Sequence, residues 1–253
     1  MFTFQVSSFK FQVSPPVFSI PNSKSIIPPP GRPGGWVCLQ LGSREHYAIP
    51  RALAAAGRLH ELITDAWVPP GSAWRWMPGK LADRWHADLA RSPVCAFTVG
   101  RVAFDVAARV MRRPTWDAIL RRNHWFQRGA VARMATICDS QSPPGTVFSY
   151  SYTARLPFRE AKRRGMRCVL GQIDPGPIEH DVVEQHVRAA GEPGYIESRP
   201  PAVYWEEWRE EVALADTIIV NSAWSAQLLE QAGVSKDKLM EIPLVYEAIP
   251  ANW

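Results

Sequence analysis

The chain has 253 residues, 46% of them hydrophobic and 21% charged, with a formal net charge of +5, a composition that fits a globular protein of one large or two small domains. No stretch is apolar over the roughly 18 residues that a spanning helix needs, which excludes a transmembrane helix within these residues. Cys38, Cys95, Cys138 and Cys168 are widely spaced, without CxxC or a Cys/His cluster, so buried free thiols in a reducing cytoplasm are expected, not disulfides or metal ligands.

Residues 1–35 hold seven prolines and no acidic side chain. They lack the compact apolar core and small-residue cleavage site of a secretory signal, and arginine is too scarce for a transit peptide. A Pro-rich leader without assigned structure, or translation from an over-early start codon, is the reading.

Trp36 to Leu41 is a short apolar run that ends at Gly42. After Gly42-Ser43-Arg44-Glu45 the pattern turns helical from His46 to Ala56 and stops at Gly57. Leu59 to Val68 then reads as a second strand, halted by Pro69-Pro70. Strand, glycine turn, helix and strand make a Rossmann-like opening. The turn is not GxGxxG, which withdraws support for a dinucleotide enzyme.

From residue 70 to 135 the chain is rich in Arg and Trp, with twelve Lys/Arg against four Asp/Glu. Val102 to Met111 and Ala118 to Met134 carry apolar residues at three- and four-residue spacing, which predicts two amphipathic helices in a basic insertion. Beside Trp116, Trp125 and Phe126, the 101–134 segment suits either a solvated helix face or contact with an anionic bilayer. No nucleic-acid-binding module is recognisable.

Beyond Pro143-Pro144-Gly145, strands are expected at Thr146–Tyr150 and Arg167–Gln172, separated by a basic helix from Tyr152 to Arg164. From Asp174 to Asp216 the charge reverses, with eleven acids against three arginines. Helices are read at Ile178–Ala190 and Val203–Ala215, and Thr217-Ile-Ile-Val220 is a β-branched run suited to a strand buried on both faces. Ser222 is placed to cap a helix whose apolar positions Trp224, Leu228, Leu229 and Ala232 share one side, with Gly233 ending it. A last strand starts at Lys238. This alternation argues for an α/β fold, a single Rossmann-like doubly wound, mostly parallel sheet with a basic helical insertion.

In such sheets ligands bind outside the carboxyl ends of the strands. Four exits are therefore candidate sites: Gly42 to His46, Tyr150 to Thr153, Gln172 to Glu179 and Asn221 to Trp224. Gly42, Ser43 and His46 flank a helix start, where backbone N–H groups can hold a phosphate; equally, Gly42 only turns the chain. Asp174 can accept hydrogen bonds from an acceptor hydroxyl or cap the turn before Pro175. Glu179 and His180 suit proton transfer, or a first helical turn where an acid is favoured. Asn221 and Ser222 can touch a sugar, or Ser222 is simply the N-cap. The histidines lack metal-ligand spacing, so no metal is expected, and there is no GxSxG, P-loop or catalytic-cysteine signature.

The order AD-x-IIVNS-x-WS…L-x-x-AGV…K-x-x-x-IPL, from Ala215 to Leu244, resembles the end of the N-terminal domain of family 4 glycosyltransferases, enzymes built from two Rossmann-like domains in the GT-B architecture. The resemblance runs from Trp36 to Glu247 and is strongest after Phe148. It implies a retaining, nucleotide-sugar-dependent transferase for polysaccharide or glycolipid synthesis, of which residues 36–247 are the acceptor-side half. The glycine loop would face the cleft between domains. Asp174 matches the acid of the family's HD strand end, while Ile173 stands where its histidine would be, so a role for that histidine does not carry over.

Several expectations follow from the resemblance. The nucleotide-sugar donor binds a second domain carrying the family's E-x7-E pair, residues 248–253 begin the linker to it, and the chain ending at Trp253 is inactive alone, with no cofactor of its own. Expected partners are a glycan or lipid-linked acceptor and a separate donor-domain chain, in the cytoplasm or at the inner membrane face. Two other classes stay open. One is a stand-alone sugar- or nucleotide-binding protein, or a split-enzyme subunit. The other is a nucleotide-sugar epimerase of unrelated Rossmann type, for which the glycine fingerprint and Tyr-x-x-x-Lys pair are missing.

Overall fold

Short apolar runs alternating with amphipathic helices build one seven-stranded sheet with every neighbouring pair parallel. The computed structural model describes residues 34–76, 81, 83–111, 115–191 and 199–243. The leader up to residue 33 and the linker expected at 248–253 lie outside the described residues. In chain order the elements are β1 (Trp36–Gln40), α1 (Ala48–Ala55), β2 (Leu59–Thr64), β3 (Val94–Ala96), α2 (Thr98–Val110), α3 (Thr115–Cys138) and β4 (Thr146–Tyr150). There follow α4 (Arg155–Arg163), β5 (Arg167–Gly171), α5 (Pro177–Ala189), α6 (Ala202–Leu214), β6 (Thr217–Val220), α7 (Ala223–Gln231) and β7 (Leu239–Glu241).

The strand order is β3-β2-β1-β4-β5-β6-β7. The sheet therefore grows one way from β1 and the other way from β4. Right-handed crossovers then put α1 and α4 on opposite faces and open a crevice at the β1/β4 boundary. Alternate residues Val37, Leu39, Ile63, Val147, Cys168, Leu170, Ile218 and Val220 share a core with Phe126, Met134, Phe158, Trp208 and Leu229 from the helices. Cys38, Leu62, Phe148 and Val169, on the other side of the strands, are buried as well. Continuous apolar runs suit strands covered on both faces, and each large side chain so buried stabilises by about 1.5–3 kcal/mol.

The structure corrects several boundaries. The second strand stops at Thr64, not Val68, and the helix read from Tyr152 starts at Arg155. The basic 70–135 stretch holds the edge strand β3, which three residues after a proline cannot announce by periodicity. It also supplies α3, whose Phe126, Ala130 and Met134 belong to the core; of the 101–134 segment, α2 keeps its apolar Val106 and Val110 exposed. Trp224, expected on the buried side of α7, is 50% exposed. Ser225 takes the inward position instead, because its hydroxyl bonds Asn221 within the cap. The last strand is observed at Leu239–Glu241; residues beyond 243 lie outside the described residues.

Candidate functional site

At the exit of β1 the backbone leaves the strand sharply. Gly42 has φ +93°, which only glycine adopts freely, and its N–H donates to Asp65 Oδ1 at 2.8 Å. Glu45, His46 and Tyr47 then follow with φ of 50°, 48° and 61°. Three successive non-glycine residues in the left-handed region cost of order 1–3 kcal/mol each and are kept where the surroundings impose them. The helix expected from His46 consequently begins at Ala48, with the buried Tyr47 at its N-cap and no side-chain cap bond. His46 lies exposed in the turn before the helix.

The neighbouring exit, β4, is tied to this turn. The Tyr150 hydroxyl donates to Glu45 Oε2 at 3.1 Å, and the Arg44 guanidinium lies 5.5 Å from the Tyr150 ring centre. Next to it in β5, a Cβ on Gly171 would sit 2.8 Å from the Phe148 ring and 2.9 Å from that of Tyr150. Glycine there lets the two rings pack at the crevice floor.

Past β4 the chain turns through Tyr152, at φ 72°. Its N–H donates to Glu211 Oε2 at 2.6 Å, and the N–H groups of Ala154 and Arg155 donate to Glu211 Oε1 at 2.8 and 3.0 Å. Glu211, only 1% exposed on α6, thus fills the place of a missing N-cap for α4. Burial raises its carboxyl to about 8, against the opposing pull of those three amides.

So held, the Tyr152 hydroxyl donates to Asp174 Oδ1 at 2.6 Å. Asp174 Oδ1 also accepts the Gly176 N–H at 2.9 Å, which is the turn-capping role foreseen for it. Gln172 Nε2 bonds the Asp174 carbonyl at 2.8 Å and Gln172 Oε1 accepts from the buried Trp208 Nε1 at 3.3 Å, fixing the loop from both ends. Burial, then the Asp174 charge, push the Tyr152 hydroxyl well above the usual phenol range, so it stays a donor. Glu179 is raised too, by partial burial first and then by Asp174. The ring of Tyr152 stacks on Tyr204 with centres 4.3 Å apart, Trp116 meets Tyr204 edge-on at 5.0 Å, and His180 packs 6.1 Å from Trp205.

The site residues named from sequence therefore divide. Asp174, Glu179 and His180 gather around the β5 exit with an aromatic wall. Gly42, Ser43 and His46 lie at the β1 exit, which Glu45 ties to the end of β4 through Tyr150. Asn221 and Ser222 are occupied locally: Ser222 Oγ accepts the Ser225 N–H at 3.2 Å and Asn221 Oδ1 accepts the Ser225 hydroxyl at 2.9 Å. Sequence reasoning marked the exits holding Glu45 and Tyr152 but missed Tyr204 and Glu211. Glu211 looked like one more acid on an amphipathic helix, and nothing local distinguishes it from Glu210. Among the described residues no group of three His, Cys, Asp or Glu is placed to hold a metal. Chemically, a carboxylate steered by a tyrosine beside stacked rings can accept hydroxyl hydrogen bonds, and Glu179, raised by partial burial and by Asp174, keeps its proton to higher pH than an ordinary glutamate.

Neither a protein-family model nor a curated protein matches the chain. Solved structures are similar to it at low identity. TcCGT1 in complex with UDP is 11% identical, with 87% of this chain and 54% of that one covered and a TM-score of 0.48. LpCGTa in complex with UDP is 14% identical, with 85% and 55% covered and a TM-score of 0.46. A UDP-GlcNAc 2-epimerase from Neisseria meningitidis bound to UDP-GlcNAc is 9% identical, with 81% and 45% covered and a TM-score of 0.42. The chain spans about half the length of these structures.

Proposed function

We propose that the chain is the acceptor-side, Rossmann-like half of a retaining, nucleotide-sugar-dependent glycosyltransferase, with Asp174 and Tyr152 receiving acceptor hydroxyls. The observation that carries this reading is the Tyr152–Asp174 pair with its Tyr204 wall, held by Glu211 beside the β1/β4 crevice. The Ala215–Leu244 segment supplies the family, by resemblance. In this reading Asp174 orients the acceptor and Glu179 exchanges the hydroxyl proton, which the upward shift of its carboxyl by partial burial and by Asp174 supports. A second, donor-binding half brings the nucleotide sugar, so this half alone transfers nothing. An exposed apolar face on α2, next to Arg109, lets the acceptor be approached at an anionic bilayer.

Saturation-transfer NMR with glycans, sugar phosphates and nucleotide sugars tests this. Acceptor-type ligands are expected to bind, and Asp174→Asn to weaken them about tenfold, one charged hydrogen bond. Sugar transfer by the 253-residue chain alone, or acceptor binding indifferent to Asp174→Asn, overturns the reading. In the same preparation, sedimentation with anionic but not neutral vesicles is the outcome expected of α2, and equal recovery with both removes the membrane contact.

A further inference from the structure

We propose that Arg84, Arg101 and Arg122 form a binding site for a phosphate group at the exits of β1, β2 and β3, beside the Gly42 turn. The centre of the arrangement is Asp65, which is fully buried. Its Oδ1 accepts the Gly42 N–H and Arg84 Nη1 at 3.2 Å, and its Oδ2 accepts Arg101 Nη1 at 2.5 Å. Arg101 also reaches Asp105 through Nε at 2.8 Å. Three guanidiniums thus face two carboxylates, and one positive charge is left over.

The surplus falls on Arg122 of α3. Its Nε is buried and has no hydrogen-bond partner among the described residues. Burial, followed by the like charge of Arg101 and, more weakly, of Arg84, holds this guanidinium below its ordinary pKa, with Asp65 and Asp105 pulling the other way. Arg122 as a whole is half-buried, but a buried donor left without an acceptor destabilises the protein that carries it, and an incoming anion removes that cost. The donor set suits phosphate. Each guanidinium carries five N–H donors, the two carboxylates take few of them, and a phosphate brings three acceptor oxygens and up to two negative charges in forked geometry. Arg84 Nη1 packs against the glycine turn, 3.0 Å from the position a Gly42 Cβ would occupy. Arg84 and Arg101 both keep part of their side chains in solvent.

The site goes beyond the acceptor reading and does not need it, because phosphate binding is measured without any sugar transfer. Titration calorimetry of the 253-residue chain with inorganic phosphate and with inorganic diphosphate, against sodium chloride and acetate at equal ionic strength, should show one saturable site for the phosphates alone. Arg122→Gln should weaken it tenfold or more and, in phosphate-free buffer, raise Tm, because the half-buried surplus charge and its unpartnered Nε are gone. Arg159→Gln, which alters an exposed arginine paired with Glu210 on α4, should bind as the parent does. Diphosphate bound tenfold more tightly than phosphate supports the site with a diphosphate ligand, and equal affinities support it with a phosphate monoester. Absence of saturable binding, unchanged affinity in Arg122→Gln, or a lower Tm of that variant without phosphate overturns the proposal.

Discussion

Two carboxylates lie almost fully buried at the same edge of the sheet and are satisfied in opposite ways. Asp65, at the β2 exit, is held mainly by side chains: two guanidiniums from a loop and from α2, with one backbone N–H. Glu211, behind the β4 exit, is held by three backbone N–H groups at the start of α4. The first arrangement balances charge with movable arms and can admit another ion. The second welds one helix to the loop before another and so fixes Tyr152. One end of the crevice is thus built to respond to a ligand, and the other to hold a shape.

The largest expected effect tests the rigid end. Glu211→Ala strands three main-chain donors and should cost about 3–5 kcal/mol in urea unfolding; a loss under about 1 kcal/mol would show that Glu211 is not a clamp. Its proton linkage has a definite sign. With the folded-state carboxyl raised to about 8 from an ordinary 4.5, the folded chain keeps a proton that the unfolded chain has released in that window. Stability from this group is therefore complete below pH 4.5 and falls as pH rises towards 8, and Glu211→Gln should remove that component of the slope. Asp65→Asn comes next, at about 2–3 kcal/mol, because Arg84 and Arg101 lose their shared counter-charge but stay partly solvated. Added phosphate should restore part of the Asp65→Asn loss and none of the Glu211→Ala loss; equal rescue of both would erase the contrast. The smallest effect is Tyr152→Phe, about 1.5 kcal/mol for a hydrogen bond to a charged group, measured by the same unfolding, with weaker acceptor binding.

Periodic elements were legible in the sequence because their cause is local. Thr146–Tyr150 and Thr217–Val220 are continuous apolar or β-branched runs between turn formers, and both strands occupy the residues expected of them. Ser222 followed by a helical pattern announced a cap that the structure contains. Asp174 was legible by its place between a strand and a proline. The partners that give it meaning were not: Tyr152 is 22 residues away and Glu211 acts across 59, through a fold that no local window encodes. The same holds for Arg133, which on the helical pattern is one more solvent-facing cation and in the structure grips the buried Glu61 at 2.7 Å. The left-handed run at Glu45–Tyr47 contradicts residue preference outright, so only tertiary contacts can specify it.

The placement of β1 between β2 and β4 also sets a timetable for synthesis. Trp36 pairs with Leu59 on one side, but its other partner, Thr146, emerges from the ribosome about 110 residues later. At a translation rate of roughly 5–20 residues per second, one edge of a strand as apolar as Trp-Val-Cys-Leu-Gln waits about 5–20 s for its neighbour. Nascent chains stalled before Thr146 should be digested readily by added protease, and chains stalled after β7 has emerged should resist it. An inner strand of the finished sheet, β1, is in this sense the one longest left open while the protein is made.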